Sequence, residues 1–178
     1  MPTLLGLLSD AHGNAPATRR AAEQLLALGA TTLVYLGDAC ADRVLDELAG
    51  LRTPAGEPVA VHLVPGNCDG MPGPLLRYAK DLGLDSGEAP RELSLGGKRI
   101  VFAHGHESGV WAEARKRKAD LFLHGHTHMR ESVFDLHLGK RMQVVCPGSV
   151  SSPRDGLPPS AALLEVESGK VVFVEVAQ

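Results

Sequence analysis

Aromatic side chains are scarce, one Trp, two Tyr and four Phe in 178 residues, so few rings are left over for a base-stacking surface once a core is filled. Basic charge is not in excess either: 18 Lys and Arg against 21 Asp and Glu give −3 and a pI near 6.2, which argues against nucleic acid or an anionic membrane as the main partner. The three cysteines, Cys40, Cys68 and Cys146, are too few for a disulfide framework and lack the paired spacing of a structural zinc site, so a reducing compartment is expected. No apolar run reaches membrane length. The stretch MPTLLGLLSD has no basic leader and meets Asp10 too early for a signal peptide or a span, which points to a cytoplasmic protein.

What is present is ordinary for a folded domain: 44% hydrophobic and 22% charged residues, in a chain long enough to bury roughly 70% of its unfolded surface. One domain over residues 1–178 is expected. Runs rich in Leu and Val at Thr3–Leu8, Thr31–Leu36 and Val59–Val64 read as buried strands. Between the first two, Ala21, Ala22, Leu25, Leu26 and Leu28 fall on helical spacing within Ala15–Leu28, with Asn14 as N-cap, Pro16 in the first turn and Gly29 as the stop.

A shorter helical pattern covers Asp42–Leu51, completing an alternation of strand and helix typical of a parallel sheet. A short helix is expected near Leu75–Leu82, then a hairpin of Glu92–Leu95 and Arg99–Ala103 about Gly96-Gly97. A helix over Val110–Ala119 and a strand Leu121–His124 follow, then paired strands Ser132–Leu138 and Met142–Cys146, and a closing hairpin of Ala161–Val166 and Val171–Val176. The second half reads as more antiparallel than the first, consistent with two packed sheets carrying helices outside.

Histidine is the one enriched type of interest: five of eight, His104, His106, His124, His126 and His128, lie within 25 residues. Asp10-Ala11-His12, Gly37-Asp38, Gly66-Asn67-Cys68-Asp69, His104-Gly105-His106 and Gly125-His126-Thr127-His128 all sit where a predicted strand ends, the place at which α/β proteins put ligands. Asp, Asn and His supply oxygen and imidazole donors suited to divalent metals, and short loops after rigid strands can aim several at one point. Asp or Asn beside Gly is also a common turn signal, so each motif alone is weak. For Gly-His-x-His, however, this composition gives only about 0.04 occurrences by chance.

In this order the five motifs resemble the calcineurin-like metallophosphoesterases, over residues 10 to 128. Gly-Asn-Cys-Asp and the later Cys146-Pro147-Gly148-Ser149 and Ser152-Pro153-Arg154-Asp155 resemble the compact YfcE-type phosphodiesterase branch. The resemblance implies an α/β fold, a two-sheet sandwich flanked by helices, with the site at the carboxyl ends of strands. It also implies two divalent ions, one held by Asp10, His12, Asp38 and His128 and the other by Asp38, Asn67, His104 and His126, with Asp38 bridging and Asp38, Asn67 and His104 at the catalytic centre. Manganese is the first choice by resemblance, although such a donor set also accepts iron, zinc, cobalt or nickel.

Two ions about 3.5 to 4 Å apart lower the pKa of a shared water and bind phosphate oxygens, so hydroxide attack on a phosphodiester, or on a phosphomonoester, needs no Ser or Cys nucleophile. Cys68 stands where many members of the wider superfamily have a His that protonates the leaving alcohol. A thiol of pKa about 8.5 is a poorer donor at pH 7, which favours good leaving groups unless His106 or a water substitutes. Asp69 could orient a ligand and Arg154 could reach a phosphate. His62, His124 and His137 read as structural, and Arg115–Lys118 as a solvated helix face. The alternative function is that of some proteins of this fold, such as the retromer scaffold subunit, which serve binding without catalysis. A small homo-oligomer is suggested by analogy alone.

Overall fold

The computed structural model describes residues 2–137 and 139–177, so the end of the expected strand Ser132–Leu138 lies outside the described residues. In chain order the first half gives β1 (Leu4–Leu8), α1 (Ala15–Ala27), β2 (Thr32–Tyr35), α2 (Asp42–Asp46), β3 (Ala60–Leu63), α3 (Pro72–Asp81) and β4 (Asp85–Ser86). The second gives β5 (Arg91–Leu95), β6 (Lys98–Phe102), α4 (Val110–Lys116), β7 (Leu121–Leu123), β8 (Arg130–His137), β9 (Lys140–Pro147), β10 (Ser160–Glu165) and β11 (Lys170–Glu175).

Two mixed sheets result, ordered β11-β10-β1-β2-β3-β4 and β5-β6-β7-β9-β8. The central strands β1, β2 and β7 read as continuous apolar runs because both of their faces are covered. Leu5, Leu7, Val34, Leu36 and Leu164 of the first sheet form one cluster with Ile100, Phe102, Leu121, Leu123 and Val145 of the second, the core between the sheets. The alternate residues Leu33, Tyr35, Val61 and Leu63 pack outward with Leu25, Leu26, Leu45 and Leu76 of the helices. On the far side Val101, Phe122 and Val144 meet Val110 and Ala114 of α4. The order is therefore helix, sheet, sheet, helix, the arrangement expected above.

Helix α1 begins as its sequence indicates, with the Asn14 side chain accepting from the Ala17 amide and Pro16 in the first turn. Helix α2 is shorter than the expected Asp42–Leu51. Bonds from Leu48 to Leu45 and from Ala49 to Asp46 tighten the chain into turns after Asp46, although Leu48 and Leu51 remain buried. Helix α4 stops at Lys116, before the expected Ala119, because Lys118 turns left-handed at φ 56° and the Ala119 amide reaches back to the Ala114 carbonyl. Two-residue β4 carries no periodicity and was not foreseen.

The hairpins β5–β6 and β8–β9 form as expected, and so does β10–β11, which joins the first sheet beside β1. The second half is more antiparallel than the first, as expected, although the central strands of its sheet, β6, β7 and β9, run parallel. Helix α4 crosses between β6 and β7, which returns the chain to the same end of the sheet. Besides the two-residue edge strand β4, which also runs parallel, each sheet has three parallel strands, β1, β2 and β3 in one and β6, β7 and β9 in the other. No described helix is long and apolar enough to cross a membrane.

Candidate metal centre

Loops following these six parallel strands bring the chemistry together. Asp10 and His12 follow β1, Asp38 follows β2, Asn67 and Cys68 follow β3, His104 and His106 follow β6, His126 and His128 follow β7, and Ser149 to Arg154 follow β9. The loops are tied to one another by backbone bonds: the amides of Asp10, His12 and Gly13 donate to Gly37, Asp38 and Ala39, and across the sheets the Val150 amide donates to Ser9. Six of the seven described non-glycine residues with positive φ lie here, Asp10, His12, Asp38, Cys40, His126 and His128, between 45° and 67°. Each costs roughly 1–3 kcal/mol, strain that persists because the surrounding bonds fix these loops.

The close approach of loops to carboxylates also explains two glycines of the motifs. A Cβ on Gly66 would lie 2.5 Å from the Asp38 amide nitrogen and collide with its carboxylate, and one on Gly125 would lie 2.9 Å from Asp10 Oδ2 and collide with Ser9.

Donor atoms of Asp10, His12, Asp38 and His128 all lie within 4.8 Å of one another. His128 Nε2 is 3.3 Å from Asp10 Oδ1 and 3.2 Å from His12 Nε2, while His104 Nε2 is 3.4 Å from Asp38 Oδ2, 3.9 Å from Asp10 Oδ1 and 3.1 Å from Asn67 Oδ1. The His104 and His126 rings are 5.2 Å apart, centre to centre, which sets His126 on the same side as Asn67 and His104.

Tautomers follow from partners that can only accept. His104 Nδ1 lies 2.6 Å from the Leu36 carbonyl and His128 Nδ1 lies 2.6 Å from that of Ser152, so both carry a proton on Nδ1 and turn an Nε2 lone pair to the centre. Asp10 Oδ1 is buried with no hydrogen-bond partner. Carboxylate oxygens, an amide oxygen and imidazole lone pairs therefore face each other with little hydrogen between them. A cation is what such a donor set lacks, and hard oxygen with borderline nitrogen suits a divalent metal.

The titrating groups respond accordingly. Burial raises the pKa of Asp10, outweighing the Ser9 hydroxyl and the nearby His104 and His128. Asp38 resists its own desolvation: the neighbouring His104 ring and the hydrogen bond from the Cys68 amide hold it well below the usual carboxylate range. His104, likewise against burial, is raised by Asp38, Asp10 and the Leu36 carbonyl, whereas burial together with His104 and His106 lowers His126.

Of the remaining expected residues, Cys68 is exposed at the rim, its amide donating to Asp38 Oδ1 at 2.8 Å, and a hydrogen bond toward Asp38 raises its thiol pKa. His106 is exposed, its ring 5.3 Å from that of His104 and 6.1 Å from that of His126. Arg154 is exposed on a loop whose backbone reaches the centre, its amide donating to the His128 carbonyl. His62 pairs with Asp85, and His124 is buried against Phe122 and bonds Glu131. His137 is exposed on β8, and Arg115 and Arg117 are engaged with Asp135 and Glu113.

Three supports were not foreseen. Glu107 accepts the His104 and Gly105 amides, and Ser149 Oγ donates to the Asp10 carbonyl at 2.7 Å. Cys40, with its Sγ 3.5 Å from His12 Nδ1, is the third. Only Ser149 stood in a motif that could have flagged it.

Carboxylates and imidazoles held at the carboxyl ends of parallel strands, between two packed sheets, define a metallohydrolase-like protein. Residues 4–169 match the calcineurin-like phosphoesterase superfamily domain. Phosphodiesterase YfcE of Escherichia coli (strain K12) is 31% identical over 172 residues, spanning 88% of this chain and 84% of that protein. An archaeal phosphodiesterase structure superimposes with a TM-score of 0.76 at 22% identity, covering 97% of this chain and 99% of the other. Vps29 of Entamoeba histolytica complexed with zinc gives 0.63 at 22% identity over 98% and 100%. The chain belongs to the calcineurin-like phosphoesterase superfamily, and membership together with the Asp/His cluster marks this centre as a divalent-metal site.

Proposed function

We propose that the protein is a metal-dependent phosphodiesterase that hydrolyses a small phosphodiester or phosphomonoester, with Asp10, His12, Asp38 and His128 holding one divalent ion and Asp38, Asn67, His104 and His126 a second. The observation that carries this reading is the set of lone pairs converging on a centre where the buried Asp10 Oδ1 has no hydrogen-bond partner. When bound, the ions make a water acidic enough to attack at neutral pH and neutralise the phosphate oxygens. Manganese is the proposed metal, with iron, zinc, cobalt or nickel as substitutes that the donors also accept.

The chain's own part is positioning. Asp38, ionised well into the acid range, supplies charge to both sets of ligands, and the Leu36 and Ser152 carbonyls fix the ring planes of His104 and His128. Asn67 adds a neutral oxygen 3.1 Å from His104 Nε2. In the metal-free rim the Cys68 thiol and His106 are the proton donors, and Arg154 supplies a cation for the phosphate. The protein acts as a single domain over residues 1–178 in the cytoplasm. A scaffold role would need none of the converging ligands.

The test is Mn2+-dependent hydrolysis of bis-p-nitrophenyl phosphate by metal-stripped protein, beside p-nitrophenyl phosphate, with Asp38→Asn as control. Turnover should require metal, prefer the diester and fall by about 100-fold or more in the variant. No turnover with manganese, iron, zinc, cobalt or nickel in folded protein would replace this reading with the scaffold.

A further inference from the structure

Among the three histidines whose nitrogens meet at the centre, His12 is oriented differently. His104 and His128 each anchor Nδ1 on a backbone carbonyl at 2.6 Å, but His12 Nδ1 faces the Sγ of Cys40 at 3.5 Å. Cys68 arrives from the loop after β3, and one donor atom each from His12, Cys40 and Cys68 lie within 4.8 Å of one another. Both thiols are free and exposed. Each is aimed by a bond at its own amide, Cys40 N to Asp69 Oδ1 at 2.7 Å and Cys68 N to Asp38 Oδ1 at 2.8 Å.

We propose that His12 Nδ1, Cys40 Sγ and Cys68 Sγ form a separate thiophilic cation site at the rim of the Asp/His centre, taking Zn2+ through one imidazole and two thiolates, the ion displacing both thiol protons to solvent. Tetrahedral zinc with Zn–S of about 2.3 Å and Zn–N of about 2.0 Å separates S from N by about 3.6 Å, matching the Cys40 to His12 spacing. Two sulfurs and one nitrogen leave the fourth position to water or another ligand, as in open Cys2His zinc sites. The donors also differ in kind from the oxygen-rich inner centre, so the outer site favours thiophilic ions more strongly than the inner one. Three loops contribute one ligand each, and for that reason no cysteine spacing announces the site. Because His12 Nε2 lies 3.2 Å from His128 Nε2 and 3.8 Å from Asp38, the same imidazole touches both sites. Filling the outer one draws on a ligand of the inner one.

Cadmium, which prefers the same ligands and reports thiolate binding by ultraviolet charge-transfer absorption, is the probe. Reduced, metal-stripped full-length protein titrated with Cd2+ should develop the band, with saturation at one thiolate-bound ion per chain. The band should fall by at least half in Cys40→Ser and in Cys68→Ser, vanish when both are replaced, and persist in Cys146→Ser. His12→Ala should need at least about tenfold more Cd2+ to saturate. A band that survives the double replacement, or no band in protein shown to be fully reduced, would overturn the site. In the unmutated chain, one equivalent of Cd2+ should slow the reaction of the exposed thiols with a disulfide reagent by at least about tenfold. An unchanged rate sinks the proposal without recourse to any variant. No substrate enters either measurement, so the outcome is independent of the phosphodiesterase reading.

Discussion

Asp69 accepts the backbone amide of Asp38 through Oδ2 at 2.9 Å, and in doing so fixes the left-handed turn, φ 58°, that presents the Asp38 carboxylate to the metal centre. The same side chain takes the Gly66 amide at 2.7 Å and the Cys40 amide at 2.7 Å. Asp69 is a positioning residue that joins the loops after β2 and β3. Asp69→Ala leaves amides without an acceptor and is expected to destabilise the protein by about 1–3 kcal/mol. Mn2+ affinity should drop roughly 10–100-fold, read by calorimetric titration. Unchanged affinity would reduce Asp69 to a purely structural role.

The buried Asp10 sets stability against metal binding. Its folded pKa is raised above the ordinary 3.8, so in metal-free protein its ionisation costs stability as pH rises from the ordinary value through the folded one. Asp10→Asn removes that cost. At pH 7 the metal-free variant should melt higher than the unaltered protein, by roughly 2–4 °C for each 1 kcal/mol relieved, with the gap closing towards pH 4. Adding Mn2+ should reverse the order, because the variant gains nothing from the ion. Thermal melts at two pH values, with and without metal, decide it.

Asp85, 55% exposed, pairs with Arg91 at 2.7 Å and His62 at 2.6 Å. Against partial burial, the Arg91 and His62 hydrogen bonds lower its pKa. A depressed carboxylate pKa contributes stability that is complete above the unfolded value near 4 and lost as pH falls through the folded one. Asp85→Asn should therefore be less stable at pH 7, by about 1 kcal/mol or less given solvent screening, and indistinguishable from the unaltered protein in strong acid. Urea denaturation across pH provides the measurement.

Gly66→Ala would push a methyl group against both the backbone and the carboxylate of Asp38. Overpacking of this kind costs about 1–3 kcal/mol. Because the displaced group is the carboxylate proposed to serve both ions, metal-dependent turnover should fall more steeply than stability, by 100-fold or so against a modest loss in Tm. Equal losses in both would mean that the loop simply unfolds.

Much of the centre was legible because its residues follow apolar strand runs that end in Gly, Asp or His. Gly125-His126-Thr127-His128 and Gly66-Asn67 carry their geometry in the chain itself, with glycines placed where a carboxylate passes. Cys40 was not legible as a partner of His12, since its neighbours come from two other loops. Glu107 escaped because a carboxylate capping the amides of its own loop looks like any surface Glu. The parallel centre of the second sheet was hidden for a related reason: Ile100–Ala103, Leu121–His124 and Met142–Cys146 are buried on both faces, and such runs carry no sign of strand direction. The early end of α2 depends on turn bonds that periodicity cannot register.

The proposed ligands are drawn from both sheets, Asp10, His12, Asp38 and Asn67 from one and His104, His126 and His128 from the other. On that assignment neither sheet alone contains a complete set for either ion, so affinity arises only when the two layers dock. Metal binding is thereby a late event on the folding route and a clamp across the seam between the layers. Occupancy slows unfolding by opposing the parting of the sheets, and a chain trapped with only one layer formed is unable to retain the metal.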